Sequence, residues 1–194
     1  MTLADRSGGY ERKAREFVRG RGQADIGATT VREWTRTLRP RGTVLDVGCG
    51  HGVPISQVLV DKGFDIYGVD ASPTMIAEFS ARFPRAPAEC SPVEESTLFG
   101  RTFDGVVAWG LMFLLSPEAQ ELVIGKVSRA LVAGGRFLFT SPYQACTWTD
   151  ILTGTPSISL GREKYREIFV AEGLDLVGET SDEGDNYYYF ALKG

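Results

Sequence analysis

The residue types in this chain that could support chemistry are concentrated in one apolar, glycine-rich segment and at one position downstream of it. The apolar run contains a single carboxylate, Asp46, and leads into glycines at alternate positions, Gly48, Gly50 and Gly52. A second apolar run ends at Asp70, about one helix length later. The order predicts a strand, a glycine-rich loop, a helix, a second strand and an acid. Parallel sheets hold nucleoside-bearing ligands in this way, at the carboxyl ends of their strands.

The glycine spacing separates two classes of ligand. A dinucleotide fingerprint reads G-x-G-x-x-G, with a helix N-terminus that faces a pyrophosphate. Here the loop reads D-x-G-x-G-x-G, and the Asp46 carboxylate would repel a pyrophosphate. It suits a ligand whose near end is cationic. Asp70 can take both ribose hydroxyls, because a carboxylate accepts two hydrogen bonds side by side.

Apolar runs of strand length alternate with helical patterns over most of the chain. This alternation predicts an α/β fold, in which helices cover both faces of a doubly wound, mostly parallel seven-stranded sheet. Residues 174–179 and 187–192 are expected to form an antiparallel hairpin at the sheet edge. We expect one or two helices within 9–38, broken at 19–23, and a helix that starts at Pro73 with Ser72 as its cap. A turn at 133–135 should lead into the fifth strand at 136–140, which a long loop at 141–150 follows.

Several segments together resemble the class I S-adenosylmethionine-dependent methyltransferases of small-molecule type. The matching motifs are motif I, the segment after it, the fourth-strand motif and the turn before strand five: Val44–Gly52, Val69–Met75, Phe103–Val107 and Leu131–Phe137. In the last motif Ala133 stands where proline is usual. The resemblance covers roughly residues 43–140 and implies a Rossmann-like fold. It also implies S-adenosylmethionine as the methyl donor and S-adenosylhomocysteine as the product.

The resemblance further implies how the chain is divided and which residues meet the cofactor. We expect one methyltransferase domain over 1–194, with an N-terminal helical lid at 1–41 and a Rossmann-like core at 42–194. Asp46 and the glycine loop would face the aminocarboxypropyl end of the cofactor, and Asp70 the ribose. The expected cofactor-binding residues are Asp46, Gly48, Cys49, Gly50, Asp70, Ala71, Ser72, Met75, Val93, Glu94, Trp109 and Gly110.

The expected adenine pocket departs from the family pattern at one position. Many members have an aspartate after strand three that bonds the adenine amino group, and in this chain its slot falls near Pro92. A proline cannot take that role. Adenine is therefore expected to lie among four nearby residues: Ala71, Met75, Val93 and Glu94.

Methyl transfer from a sulfonium is an in-line displacement, so orientation of the acceptor is the main requirement. Two residues are candidates for a catalytic role. His51 is the only histidine, sits in the glycine loop and could act as a base near neutral pH; alternatively it lines the cofactor carboxylate or solvent. Tyr10 precedes a helix that could close over the cofactor as a lid, or it could simply pack on the sheet.

The acceptor is expected to bind where strands four and five end. The segment 109–115 is apolar, and the loop 141–150 is rich in aromatic residues. We expect one pocket on the side of the cofactor sulfur opposite Asp70, with Tyr10 above it and a wall formed by Trp109, Met112, Phe113, Tyr143 and Trp148. The N/D-P-P-Y/F signature of amino-methylating relatives is absent, which argues against adenine-N6 and glutamine-amide substrates.

Composition limits the class of partner. The net charge of −4 and a pI near 5.2 argue against a nucleic-acid partner. The three cysteines form no metal-binding pattern and favour reduced thiols in a cytoplasmic setting, and no membrane-spanning run is present. We expect methyl transfer to O or N of a small molecule, with the oligomeric state open. The alternatives are a protein or RNA methyltransferase, a non-catalytic S-adenosylmethionine-binding regulatory module, and a nicotinamide oxidoreductase, which the glycine spacing disfavours.

Overall fold

A computed structural model describes residues 6–21 and 25–194 of the chain. The helices are α1 Tyr10–Arg21, α2 Ala28–Trp34, α3 Ile55–Asp61, α4 Pro73–Arg82, α5 Pro117–Ala130 and α6 Arg162–Ala171. The strands are β1 Thr43–Val47, β2 Asp65–Asp70, β3 Ala88–Cys90, β4 Phe103–Ala108, β5 Leu131–Thr140, β6 Cys146–Thr149, β7 Pro156–Ser159, β8 Leu174–Ser181 and β9 Tyr187–Lys193. Short 3₁₀ turns follow α2 and precede β4 and α5.

Seven strands form one sheet in the order β3-β2-β1-β4-β5-β9-β8. The pairs from β3 to β5 are parallel, whereas β9 runs antiparallel to both β5 and β8. The predicted fold class and edge hairpin are therefore confirmed. Chain order reverses at β1, which lies between β2 and β4. In doubly wound sheets the ligand crevice opens at such a switch point, outside the carboxyl ends of the strands.

Helices cover both faces of the sheet because successive strand residues point to opposite sides. On one face, Leu45 of β1 packs in a core cluster with apolar residues of α5 and α6. On the other face, Val44 packs with residues of α2, α3 and α4, among them Trp34 and Phe79. The two cores fix the height and direction of β1, and so they fix the position of the glycine loop that follows it.

Two expected boundaries in the second half of the chain were wrong. The strand β5 begins at Leu131, which pairs with Phe103, and an irregularity of register then brings Arg136 opposite Gly105. The expected turn at 133–135 is thus absorbed into the strand as a bulge. The segment expected as a long loop contains β6, which pairs with β7 in a separate two-stranded sheet. Its Cys-Thr-Trp-Thr alternation suits a strand once β7 provides a partner.

The N-terminal helix α1 is attached to the start of α4. Glu11 accepts hydrogen bonds from the Thr74 amide at 3.1 Å and the Thr74 hydroxyl at 2.7 Å, and it also bonds the Ser72 hydroxyl. Ser72 in turn caps α4 by accepting from the Met75 amide, which confirms the predicted cap. The predicted break at 19–23 falls partly on residues 22–24, outside the described residues, and α1 itself continues to Arg21. These contacts hold α1 over the carboxyl end of β2.

Candidate active site

A cavity of about 450 Å³ opens at the carboxyl ends of β1, β2 and β4, as expected for the switch point of this sheet. Its described walls come from the glycine loop, from the segments after β2, β3 and β4, and from α1. The turns between β6 and β7 and between β8 and β9 complete it, each with one or two residues. We call this space the central cavity. Many of the expected site residues line it: Tyr10, Asp46, Gly48, Cys49, Gly50, His51, Asp70, Ala71, Met75, Val93, Glu94, Trp109, Gly110 and Phe113.

The glycine loop is bonded to β2 and lies so close to the Phe83 ring that a side chain is excluded at Gly52. The amides of Gly48 and Cys49 both donate to the carbonyl of Val69, at 2.8 and 3.1 Å, which fastens the loop to β2. Gly52 has a φ of 85°, and a Cβ there would lie 2.3 Å from the Phe83 ring. Glycine is required at this position because it alone fits both the left-handed backbone and the contact.

Asp70 is fixed by the backbone on both of its oxygens. Its Oδ2 accepts from the Gly50 amide at 2.9 Å, and its Oδ1 accepts from the Ser72 amide at 2.8 Å. Burial raises the pKa of Asp70, whereas the bonds from Ser72 and Gly50 lower it and the charge of Glu11 raises it. Each oxygen retains acceptor capacity toward the cavity, because a carboxylate offers about four lone-pair sites. The geometry suits a pair of neighbouring hydroxyl donors.

Asp46 is 2% exposed and lies at the base of the glycine loop. Its Oδ2 accepts from the Ser56 hydroxyl at 2.6 Å. Burial raises the pKa of Asp46 to about 7; the Ser56 bond opposes this rise and the charge of Asp70 adds to it. A cation placed beside Asp46 would favour its ionised form, so this part of the cavity is adapted to a positively charged group.

The wall after β3 is held in place by a lysine of the neighbouring helix α5. Lys126 of α5 donates to the carbonyls of Val93 at 2.8 Å, Glu94 at 2.9 Å and Ser96 at 2.5 Å. Partial burial lowers the pKa of this ammonium, an effect that the nearby Glu94 opposes. Since Val93 and Glu94 line the cavity where adenine is expected, Lys126 positions that edge without reaching the cavity itself.

Replacing Lys126 with methionine is expected to weaken binding of S-adenosylhomocysteine several-fold. The apolar stem is kept, but three carbonyls lose a charged donor, and the loop that carries Val93 and Glu94 becomes free to shift. Isothermal titration calorimetry would measure this, with Lys126→Arg expected to recover part of the affinity. Lys164→Met is the control, since Lys164 forms only ion pairs on the outer surface of α6. Unchanged affinity in Lys126→Met would contradict the positioning role.

The two catalytic candidates both reach the cavity, from different elements. His51 is 1% exposed and meets the ring of Phe17 edge-on, at 6.0 Å between centroids. Tyr10 packs edge-on against Phe17 at 5.9 Å, and its hydroxyl donates to Asp150 Oδ2 at 3.3 Å. The helix α1 thus covers the glycine loop through Phe17 and contacts the β6–β7 turn through Tyr10. Their catalytic roles stay predictions.

The expected acceptor pocket needs correction, because three of its five wall residues lie outside the cavity. Met112 is fully buried in the core beneath it. Tyr143 is half exposed and packs on Tyr187, 5.4 Å between ring centroids. Trp148 packs on Phe113 at 5.4 Å, so it supports the wall from behind. The cause is the β6–β7 hairpin, which folds the segment 146–149 back over the 3₁₀ turn before α5. Ser72, expected near the cofactor, also lies outside the lining and acts as the cap of α4.

Four residues with clear roles in the site were not predicted from the sequence. Asp150 and Asn186 line the cavity from turns between strands, while Glu11 and Lys126 hold its walls. Asp150 is the last residue of the segment 141–150. That segment was expected to bind the acceptor because of its aromatic residues, but Asp150 itself was not predicted to contribute. Nothing in the local sequence marks the other three. Glu11 and Lys126 bond partners that are distant in the chain, and Asn186 reaches the cavity only because the β8–β9 turn folds over it.

The comparisons with known proteins agree with this geometry. Residues 44–135 match a family model described as "Methyltransferase domain". A carboxy-S-adenosyl-L-methionine synthase of Desulforapulum autotrophicum is 32% identical over 111 residues, which cover 53% of this chain and 44% of that protein. Curated relatives are therefore matched over less than half of their length.

Solved structures match over a larger share of the chain. CalS10, an amino pentose methyltransferase of Micromonospora echinaspora with bound S-adenosylmethionine, has a TM-score of 0.75 at 18% identity. The match covers 93% of this chain and 96% of that chain. The glycopeptide N-methyltransferase MtfA, complexed with S-adenosylhomocysteine, has a TM-score of 0.71 at 19% identity, with 89% and 91% covered. These two matches show that this chain shares its fold with both proteins.

The class of fold is thereby defined: residues 44–135 match the methyltransferase-domain model, and the chain shares the Rossmann-like fold of solved S-adenosylmethionine-dependent methyltransferases. The resemblance stated from the sequence is confirmed. The cofactor of this class is S-adenosylmethionine, and the solved relatives contain it or its product.

Neither a membrane-spanning helix nor a three-residue metal site occurs among the described residues, 6–21 and 25–194. Within them no helix is long and apolar enough to cross a membrane. The same residues contain no group of three His, Cys, Asp or Glu side chains that could hold a metal ion. Cys49 is buried and Cys90 and Cys146 are exposed, all three as free thiols.

Proposed function

We propose that this protein transfers a methyl group from S-adenosylmethionine to O or N of a small-molecule acceptor. The observation that carries the proposal is the pair of carboxylates in the central cavity. Asp70 has both oxygens set by backbone amides, and Asp46 is buried at the base of the glycine loop. They match the two ends of the cofactor, with a ribose diol at Asp70 and an α-ammonium near Asp46.

The remaining cofactor contacts follow from the cavity wall. Adenine would lie between the segment after β2 and the loop that Lys126 holds, against Ala71, Met75 and Val93. Gly110 donates its amide to the Thr140 hydroxyl at 2.8 Å, which joins the ends of β4 and β5 where the sulfonium would sit. When bound, the cofactor supplies an electrophilic methyl carbon. The protein's own part is to exclude water and align the acceptor, with α1 as a cover.

A small acceptor is favoured over a macromolecule by the enclosure of the site. The start of α1 lies against the β6–β7 turn: the Thr155 hydroxyl donates to the Gly8 carbonyl at 3.4 Å, and Tyr10 contacts Asp150. This cover leaves a cavity of small-molecule size rather than an open groove. Of the two structural relatives described above, one methylates an amino pentose and the other a glycopeptide. The acidic net charge disfavours RNA.

S-adenosylhomocysteine is expected to raise the thermal stability of the protein, whereas NADH is not. A ligand at ~100 times its dissociation constant adds about 2.7 kcal/mol to the free energy of unfolding. Differential scanning fluorimetry with both ligands tests this, and transfer of labelled methyl to a mixed pool of small amines, alcohols and phenols tests activity. A melting temperature that S-adenosylhomocysteine leaves unchanged would overturn the cofactor assignment. Labelling of added RNA or protein with no small-molecule product would overturn the acceptor class.

A further inference from the structure

One part of the central cavity is lined by residues that are not among the expected cofactor contacts. Phe113 follows β4, and Phe17 and Tyr10 belong to α1. Asp150 lies in the turn between β6 and β7, and Asn186 lies in the turn between β8 and β9. We call these five residues the acceptor wall. It combines ring-sized apolar surface with two polar side chains whose orientation other residues fix.

Asp150 has one oxygen engaged by its own turn and one directed elsewhere. Its Oδ1 accepts from the Leu152 amide at 3.1 Å, the Thr153 amide at 2.7 Å and the Thr153 hydroxyl at 2.7 Å. Its Oδ2 is bonded by the Tyr10 hydroxyl at a longer 3.3 Å. Three donors on one oxygen lock the carboxylate, which therefore presents Oδ2 to the cavity in a fixed direction with acceptor capacity to spare.

Asn186 is oriented by Asp182. The Asn186 Nδ2 donates to both oxygens of Asp182, each at 3.0 Å, and only the NH₂ end of an amide can make these bonds. Asp182 is held in turn by the amides of Gly184 and Asn186 and by the Tyr188 hydroxyl at 2.5 Å, and these hydrogen bonds lower its pKa. Tyr188 also accepts from the Trp109 indole of the cavity wall at 2.8 Å. The network leaves Oδ1 of Asn186 as a preset hydrogen-bond acceptor.

The charges on the described cavity lining favour a cation. Its carboxylates are Asp46, Asp70, Glu94 and Asp150. The one guanidinium among the described lining residues is that of Arg6, which pairs with Glu95. Such a balance lowers the local potential and concentrates positively charged ligands. Because Asp46, Asp70 and Glu94 are assigned to the cofactor, the charge of Asp150 is the one that an acceptor would meet.

We propose that the methyl acceptor carries a protonated amine next to an apolar, ring-sized body. The ammonium donates to Asp150 Oδ2 and to Asn186 Oδ1, and the body packs on Phe113 and Phe17. Trp148 packs behind Phe113 with the two rings tilted, and it keeps the Phe113 ring in place. The proposal rests on the proposed function and specifies its substrate class. It concerns recognition of the amine, whichever O or N atom of the molecule receives the methyl group.

Three probes of nearly equal size and different charge test the inference. They are 2-phenylethylamine, 2-phenylethanol and phenylacetate, titrated by calorimetry into the full chain saturated with S-adenosylhomocysteine. The amine is expected to bind at least tenfold more tightly than the alcohol, because a hydrogen bond between charged groups exceeds one that involves a neutral donor. Phenylacetate is expected to bind least tightly, since its carboxylate meets that of Asp150.

Two variants separate charge from hydrogen bonding. Asp150→Asn keeps an acceptor for the turn amides but removes the charge, so the preference for the amine over the alcohol should fall to less than threefold. Asn186→Ala should weaken the amine and the alcohol by similar factors. Asp175→Asn is the control: it also removes one negative charge, but from an exposed position on β8, and it should leave all three affinities unchanged.

The outcomes distinguish a failure of the proposed function from a failure of the amine inference. Failure of S-adenosylhomocysteine to bind overturns the proposed function. If it binds but phenylacetate equals or exceeds the amine, or no probe binds, the amine inference is overturned and the proposed function stands. An amine preference that survives in Asp150→Asn likewise contradicts the role of this carboxylate.

Discussion

Replacement of Asp70 by alanine is expected to lower the affinity for S-adenosylhomocysteine at least tenfold while the fold survives. Hydrogen bonds to a charged group contribute roughly 1.5–3 kcal/mol each, and tenfold in affinity corresponds to about 1.4 kcal/mol, so the loss of one bond is sufficient. The change also removes the acceptor for the Gly50 and Ser72 amides, so loosening of the glycine loop adds to the loss.

Asp65→Ala is the matched control for this experiment. Asp65 is the first residue of β2 and Asp70 is the last, so Asp65 lies at the opposite end of the same strand, where it is exposed. Calorimetry should therefore give wild-type affinity for this variant, and circular dichroism should show the same secondary structure for both. If Asp70→Ala binds as tightly as the control, the ribose lies elsewhere and Asp70 serves only to shape the loop.

Cofactor affinity is expected to rise with pH up to about 7 and then level off. In the ligand-free protein the pKa of Asp46 is about 7, against an ordinary 3.8, mainly because of burial. The α-ammonium of the cofactor binds the ionised form, so below pH ~7 binding releases a proton and the dissociation constant falls by up to about tenfold for each pH unit gained. Calorimetry between about pH 5.5 and about pH 8 would measure the dissociation constant, and buffers of different ionisation enthalpy would reveal the released proton.

The variant Asp46→Asn tests whether Asp46 or another ionisable residue causes the pH dependence of cofactor affinity. The variant cannot ionise, so it should bind more weakly at high pH, with a dissociation constant that varies little over the same range. His51→Gln is measured beside it, because histidine also exchanges protons near neutral pH and His51 lines the same cavity. A pH dependence that persists in Asp46→Asn and disappears in His51→Gln would assign the proton to the histidine instead.

The Asp46 carboxyl group also makes the folding stability of the ligand-free protein depend on pH. A pKa raised in the folded state means that the native protein binds more protons than the unfolded chain between about pH 4 and about pH 7. The contribution of Asp46 to stability is thus fully present below about pH 4 and is lost as pH rises through about 7. Ligand-free Asp46→Asn should lack this decline.

The local sequence was enough to predict that the glycine loop and Asp70 meet at one edge of the sheet. Strand patterning and the glycine turns lie within a few residues of each other, and the distance from Asp46 to Asp70 is one strand–helix–strand unit. Such units have essentially one handedness and one way of pairing, so their loops meet at a predictable edge. The edge hairpin of β8 and β9 was predictable for a similar reason, since short connections join neighbouring strands.

Only the tertiary structure decided the acceptor side. Trp148 and Tyr143 were expected in the pocket, but pairing of β6 with β7 placed Trp148 behind Phe113, and Tyr143 packed on Tyr187 outside it. Sequence periodicity predicts which face of a strand is buried, whereas the direction in which a hairpin folds over depends on contacts with remote segments.

The same reason applies to the residues that the sequence did not mark. The bond from Lys126 to the Val93 carbonyl joins positions 33 residues apart in the chain, and that from Tyr10 to Asp150 spans 140. No local pattern encodes such a pair, because each side chain is an ordinary surface residue until packing brings its partner near. The sequence thus determined the fold and the cofactor loop through short-range rules. The cover, the adenine edge and the acceptor wall depend on long-range packing.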